Sequence, residues 1–416
     1  MTDLAPRATP QQSSNHSVSI DLPLTHAPGD AVVYALLLAI IYLAFVSLGL
    51  PDSLVGSGWP VMHEDLSVPT SFAGIVTFII ALGTIVSSLS SDRLTRRFGV
   101  GLVTAVSVAM TALALLGFST ATQFWMLLLW AVPYGLGAGA VDAALNNYVA
   151  LYYNARHMNW LHSFWGVGAS ISPFIMSLAL ATDGGWPSAY SGVGWIQAVL
   201  AAFLLATLPM WRRVATAHTA ADDAPEAQAV PLVRSLRIPG VPYVLLAFFA
   251  YCAMEATAML WGATYFVNDR GFDPTLAARF GAFYILGLTA GRFLAGFVAD
   301  RLGDRALIRL GFCLAVIGSL VLALPLGGVS FAGLILAGVG SAPIYPAIIH
   351  STPDNFGREN SQAIVGIQMA AAYTGATLMP PLFGFLSSAT GLWIFPVYLM
   401  GLGVLGLVMS ERLSRR

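Results

Sequence analysis

"GRFLAGFVADRLGDR", residues 291–305, runs from an apolar stretch into a knot of charge, with Asp300 and Arg301 side by side at the junction. A related junction stands at 87–99, "SSLSSDRLTRRFG", where Asp92 is followed by Arg93. The two aspartates are 208 residues apart, half of the 416-residue chain. A boundary that recurs half a chain later implies two similar halves. What the apolar stretches are built to face is answered by composition.

The chain is 57% hydrophobic and 9% charged, with a mean hydropathy of +0.75. A soluble domain carries about 25% charged residues. So few charges cannot cover so much apolar surface in water, and the chain reads as a membrane protein. Its formal net charge of −1 gives no reason to expect a nucleic-acid partner. Cys252 and Cys313 both lie in apolar segments, so neither a disulfide framework nor a metal site is indicated, and no cofactor is expected.

A spanning helix needs about 20 mostly apolar residues. Breaking the chain at Gly, Pro and charge clusters leaves twelve such runs, near 33–58, 72–91, 100–118, 124–151, 160–181, 191–211, 241–267, 276–299, 306–326, 329–350, 361–388 and 391–411, here numbered spans 1 to 12. The predicted fold is therefore all-α, with twelve transmembrane helices in two six-helix halves. The halves cover 31–211 and 241–411, joined by a polar linker, 212–240, and flanked by a disordered tail, 1–30, and a short C-terminal tail, 412–416. Arginine is abundant on one side only: Arg93, Arg96, Arg97, Arg156, Arg234, Arg237, Arg301, Arg305 and Arg309 share a side with the N-terminal tail, and the opposite loops hold Arg270 and Arg279. The positive-inside rule then puts both termini and the linker in the cytoplasm. A parallel six-span repeat is the plan of a rocking transporter with its site at the midplane between halves.

Three acids sit where a charge is costly, about 3 kcal/mol at the bilayer centre on insertion scales. They are Asp52 in span 1, Asp142 in span 4 and Glu255 in span 7. Each reads as a cavity or proton-relay group; the alternative is a protonated acid bonding helix to helix, worth about 1 kcal/mol. Asn146, four residues after Asp142, shares its face, whereas Asn147 is rotated away. Gly135 and Gly139 allow another helix close to span 4. Pro51, directly before Asp52, frees a backbone carbonyl and permits a bend. His162 reads either as a packing histidine or as a cavity group. Trp165, Trp261, Tyr265, Tyr345, Tyr373 and Gln368 supply the aromatic faces and amides that suit a hydroxylated solute, whose hydroxyls both donate and accept.

These residues carry a resemblance. The two junctions are similar to the signature loop of the major facilitator superfamily, G-x-x-x-D-R-x-G-R-R. The second copy keeps Gly296, Asp300, Arg301, Gly303 and Arg305, while the first has Ser88 and Thr95 in place of the glycines. The resemblance implies a bracing and gating role on the cytoplasmic side for Asp92, Arg93, Asp300, Arg301 and Arg292. "GLPDSLVGSGWP" (49–60) and "VDAALNNYVALYY" (141–153) resemble the first and fourth spans of the fucose:proton symporter family. That family carries an acid at each place and uses both for proton coupling and sugar binding, which implies these roles for Asp52 and Asp142. "NWLHSFWGVGASISP" (159–173), "YCAMEATAMLWG" (251–262) and "GSAPIYPAIIHSTPDNFG" (340–357) are closer to a related branch with sodium-dependent glucose transporter-like proteins.

The expected function is proton-coupled symport of a small polar solute, foremost a sugar, with Asp142, Asp52 and Glu255 as coupling or substrate groups. Asn146, His162, Trp165, Trp261, Tyr345 and Gln368 are the expected substrate contacts. Function as a monomer in a bilayer, a bacterial inner membrane, is expected. Export of a drug-like compound against protons is the runner-up, although the G-x-x-x-G-P-x-x-G-G element of family antiporters is replaced in span 5 by "GVGASISPFIMS". Sodium coupling stays open, since carboxylates serve Na⁺ as well as H⁺. No H-E-x-x-H and no Ser/His/Asp spacing suggests an enzyme, and a non-transporting sensor of the same fold is a further alternative. The arginine asymmetry has a direct test. Cysteines introduced at Ala221 and Ser414 should resist impermeant thiol reagents in intact cells, and one at Asp65 should react; labelling of Ala221 from outside would overturn the topology.

Overall fold

The computed structural model describes residues 28–69, 72–211, 213, 232–272, 274–325 and 327–415. Most of the expected N-terminal tail and the middle of the expected linker, 214–231, lie outside the described residues. The described chain forms helices and no strand. Span 1 is a pair, Pro28–Asp52 and Leu54–Asp65, followed by Ala73–Phe98, Val100–Ser119, Phe124–Tyr152, Ala155–Leu180 and Gly185–Ala206. The second half comprises Val241–Asn268, Pro274–Leu302, Asp304–Ala323, a broken span 10 (Val329–Ser341 and Ile344–His350), Arg358–Thr390 and Phe395–Ser414. Ten of these spans are long and apolar enough to cross a membrane among the described residues. The other two, spans 8 and 11, are helices of 29 and 33 residues that complete the twelve.

The expected single helix of span 1 is interrupted instead at Ser53. Pro51 has no N–H, so the Ser47 carbonyl one turn earlier loses its helical donor. That carbonyl accepts a bond from Gln197 Nε2 of span 6 at 2.7 Å, and Gln197 Oε1 accepts from the Thr111 hydroxyl of span 3 at 2.7 Å. The break is thus satisfied by the neighbours, as a low-dielectric interior demands. Span 10 breaks in the same way ahead of Pro346, around Pro343.

Pairing of helices repeats between halves. Span 1 packs on span 5, 2 on 4 and 3 on 6; correspondingly 7 packs on 11, 8 on 10 and 9 on 12. A Cβ at Gly139 would strike the Thr84 carbonyl and the hydroxyls of Ser87 and Ser88, so spans 2 and 4 approach there as closely as backbone permits. Ser88 Oγ donates to the Gly139 carbonyl at 3.1 Å in the same crossing. Interior hydroxyls bond back along their own helices, as Thr84 does to Ile80, Thr257 to Ala253 and Ser319 to Ala315. Outward faces carry large apolar side chains such as Phe174, Leu178, Val199 and Phe385.

The halves meet where span 2 packs on span 11 and span 5 on span 8. Among the described residues, every hydrogen bond between halves lies at the level of Asp142 or nearer the arginine-rich end. Asp300 accepts the Arg156 backbone N–H at 3.0 Å and pairs with the Arg156 guanidinium at 3.1 Å. Arg96 pairs with Asp92 at 2.7 Å and donates to the Glu359 carbonyl at 2.8 Å. His350 faces Asp304 at 2.7 Å and the Tyr153 carbonyl of the other half at 3.0 Å. Ser361 donates to Asn147, and Gln362 donates to Ser91. These contacts close this end, and among the described residues no such bond joins the halves at the opposite end.

The two aspartates of the repeat therefore sit at the closed junction, but the arginines that reach across from them or beside them are Arg156 and Arg96. Arg93 and Arg301 are exposed. The bridging goes to arginines one turn beyond, or on the facing helix, because the arginine adjacent in sequence points about 100° away on a helix. Asp300→Asn removes the charge of a half-exposed pair, an effect of about 1 kcal/mol or less, and shifts the balance towards opening at this end by up to several-fold. Uptake turnover should fall more than equilibrium ligand affinity; a large loss of binding with unchanged alternating access would count against a bracing role.

Candidate functional site

Between the halves lies a cavity of about 230 Å³, lined from spans 1, 4 and 5 on one side and 7, 8, 10 and 11 on the other. Asp52, Asp142, His162, Trp165, Glu255, Arg292, Tyr345 and Tyr373 all face it. The three acids expected from sequence thus share one chamber.

Span 4 brings Asp142 there because its glycines let it lie tight on span 2. Asn146, one turn on, donates from Nδ2 to Asp142 Oδ1 at 2.8 Å and to the Asp142 carbonyl at 2.9 Å. The other carboxylate oxygen, Oδ2, accepts from the Tyr373 hydroxyl of span 11 at 2.8 Å. Asn146 Oδ1 lies 2.9 Å from His162 Nε2. Because Asn146 Nδ2 donates to the acid, its oxygen faces the imidazole, and His162 carries the proton on Nε2. The imidazole stands edge-on to Phe45 and Tyr345, with ring centres 5.6 and 4.4 Å apart. The chain His162–Asn146–Asp142–Tyr373 therefore crosses from one half to the other.

Asp52 sits at the end of the first helix of span 1, where the Pro51 break turns it into the chamber, and it is exposed there. Its Oδ2 accepts from Trp165 Nε1 at 2.8 Å and its Oδ1 from the Tyr134 hydroxyl at 3.2 Å. Gly168 makes the first bond possible. A Cβ there would meet the Val46 carbonyl, so spans 1 and 5 cross at backbone distance.

Across the cavity, Glu255 accepts from the Tyr251 hydroxyl one turn before it and pairs with Arg292 Nη2 at 3.3 Å. Arg292 is buried, with its guanidinium carbon 5.9 Å from the Trp165 ring and 6.0 Å from the Tyr345 ring. This corrects the expectation that groups Arg292 with the gating charges of the signature loop. Two turns deeper in span 8 than Asp300, it belongs to the chamber. An arginine within an apolar span is the sequence signal for that placement. Tyr251 was legible too, since four residues before Glu255 puts it on the same face. Tyr134, which reaches Asp52 from span 4, 82 positions away, has no such local signal.

Two expected contacts lie elsewhere. Trp261 donates from Nε1 to the Pro380 carbonyl at 2.9 Å and packs on Phe383, away from the lining residues. Gln368 is buried with its Oε1 accepting from Thr352 at 3.0 Å, and it too is outside the lining. Both hold spans of the second half together: tryptophan and glutamine suit interhelical bonding as well as ligand contact, and sequence alone does not separate the uses.

The family model described as Major Facilitator Superfamily matches residues 41–332 and 245–411. The chain belongs to the major facilitator superfamily. This transporter is 22% identical over 380 residues to the hexuronate transporter of Bacillus subtilis, with 84% of this chain and 87% of that protein aligned. It is 25% identical over 281 residues to bypass of stop codon protein 6 of Saccharomyces cerevisiae, covering 62% of this chain and 56% of that relative, so the chain matches little more than half of that protein's length. Its fold is similar to that of the Escherichia coli fucose:proton symporter FucP. In a variant of that protein the TM-score is 0.72 at 16% identity, over 92% of this chain and all of the other. The FucP structure in the outward conformation gives 0.70 over the same shares. The family match makes this a transporter and not an enzyme, and the structural likenesses show its fold.

Proposed function

We propose that this transporter is a proton-coupled symporter of a sugar or a similar small polar solute. The observation that carries the reading is the Asp142 carboxylate, held by Asn146 from its own half and by Tyr373 from the other, within the one chamber between halves. A carboxyl group crosses an apolar barrier far more readily neutral than charged. Each donor to Asp142 is a group that a hydroxylated solute can replace. Binding, protonation and the relation of the halves therefore meet at one side chain. Asp52, nearer the parted end, is the second protonatable group on this reading, and the rings of Trp165 and Tyr345 offer faces to a sugar. The names of FucP, a fucose:proton symporter, and of the hexuronate transporter are in keeping with a sugar-like cargo. The cytoplasm lies at the closed, arginine-rich end, which makes this the state that loads from outside.

Uptake into proteoliposomes, screened over sugars with a pH gradient, a sodium gradient or neither, tests the proposal. Accumulation driven by the pH gradient alone is expected; accumulation driven only by sodium, or proton-driven efflux, would replace it with the sodium-coupled or exporter reading. Asp142→Asn fixes the neutral state. It should abolish gradient-driven accumulation while counterflow exchange and ligand binding persist. Asn146→Ala should chiefly weaken binding, by about tenfold, the loss of one hydrogen bond to a charged group. If Asp142→Asn still concentrates solute with normal pH dependence, Asp142 is a packing group and the assignment is wrong.

A further inference from the structure

Glu255 and Arg292 are the cavity charges that this proton step leaves unused. Arg292 Nη2 faces both Glu255 oxygens, at 3.4 and 3.3 Å, and the Tyr251 hydroxyl at 3.1 Å. Its Nε is buried without a hydrogen-bond partner. A buried donor left unsatisfied costs free energy until an acceptor arrives, and the guanidinium lies among lining residues, beside Trp165 and Tyr345. From there it can donate to a ligand oxygen in the chamber. Whether that oxygen is charged is decided by the surrounding groups. The lining holds Asp52, Asp142 and Glu255 against Arg292, with His162 bonded to Asn146. The one arginine among the lining residues is already paired with a carboxylate, and the other two acids, protonated or not, offer an anion no positive charge.

We infer that Glu255 sets the charge class of the solute. By pairing with Arg292 it leaves a guanidinium that can donate to a neutral hydroxyl or ring oxygen but has no net charge for a carboxylate, so the chamber takes neutral hexoses and rejects hexuronates. This rests on the sugar reading above. It distinguishes the transporter from a relative named for hexuronate at 22% identity.

The full-length protein in proteoliposomes, tested for binding and counterflow with glucose, galactose and mannose and with their three uronates, puts this to the test. Wild type should bind at least one hexose and discriminate against its uronate by roughly tenfold or more, the scale of one hydrogen bond to a charged group. Glu255→Gln keeps an acceptor for Arg292 and removes the countercharge, so binding of the matched uronate should rise by about tenfold relative to the hexose. Glu255→Ala, a second neutral variant, should shift the ratio in the same direction. Glu255→Gln with Arg292→Gln should lose the gain, because the freed cation is gone. Uronate bound by wild type within about threefold of the hexose, or a ratio unchanged in both neutral variants, overturns the inference and leaves the sugar reading intact. A wild type that binds none of the six sugars overturns the sugar reading, and the inference falls with it.

Discussion

The Tyr373 hydroxyl on Asp142, at 2.8 Å, is the contact on which the rest of this structure turns. A carboxylate far from water has to be surrounded by donors. Asp142 finds one on its own helix, Asn146, and one on the opposite half. The chamber therefore depends on the halves being together at that depth. Between this bond and the arginine-rich end the halves meet through hydroxyls and amides, at Ser361–Asn147 and Gln362–Ser91, through the ion pair of Asp300 with Arg156, and through an aromatic contact, Trp160 on Phe293 and Phe297. Polar contacts suit a surface that has to open, because each group can exchange its partner for water. A large apolar seam would hold the two halves shut.

The same reasoning explains how the polar groups are arranged elsewhere. Inside a half, donors and acceptors close on their own helix or on a fixed neighbour. Thr257 bonds to Ala253, and the carbonyl released by Pro51 is taken up by Gln197. These bonds have no reason to break in transport. The chamber has free capacity of its own: the Arg292 Nε has no partner, and Asp52 is exposed at a break in its helix.

How much of this was legible beforehand follows from the range of each interaction. Twelve spans and two halves follow from composition and from the Asp92 and Asp300 junctions, because hydropathy acts residue by residue. Asn146 beside Asp142 follows from helical periodicity alone. That Pro51 permits a bend follows from its missing N–H, although the full break at Ser53 and the repair of the Ser47 carbonyl by Gln197, 150 positions away, do not. Residue type makes Trp261 and Gln368 candidate ligand groups, and the structure places both outside the chamber lining. Arg292 was read with the signature loop on proximity in sequence, and two helical turns carry it into the chamber. Local geometry was readable; contacts between spans required knowing which helix packs on which.

Motion of the halves has a definite consequence for those contacts. The closed end is held by span 2 on span 11 and span 5 on span 8. Spans 5 and 11 also carry His162 and Tyr373 to the two ends of the chain through Asn146 and Asp142. On the transport reading proposed above, opening the arginine-rich end would move span 11 relative to span 4 and stretch the Tyr373 bond, while the His162–Asn146 bond, within one half, would be kept. Asp142 then keeps one donor and loses the other to water or solute. The charge at the centre of the chamber is thereby tied to which end is open through one hydroxyl, without any long relay. Trp165 adds a second tie: it donates to Asp52 within its half and lies against Arg292 of the other. On that reading both acids of the first half would sense the position of the second through an aromatic side chain, as a proton site in a rocking unit requires.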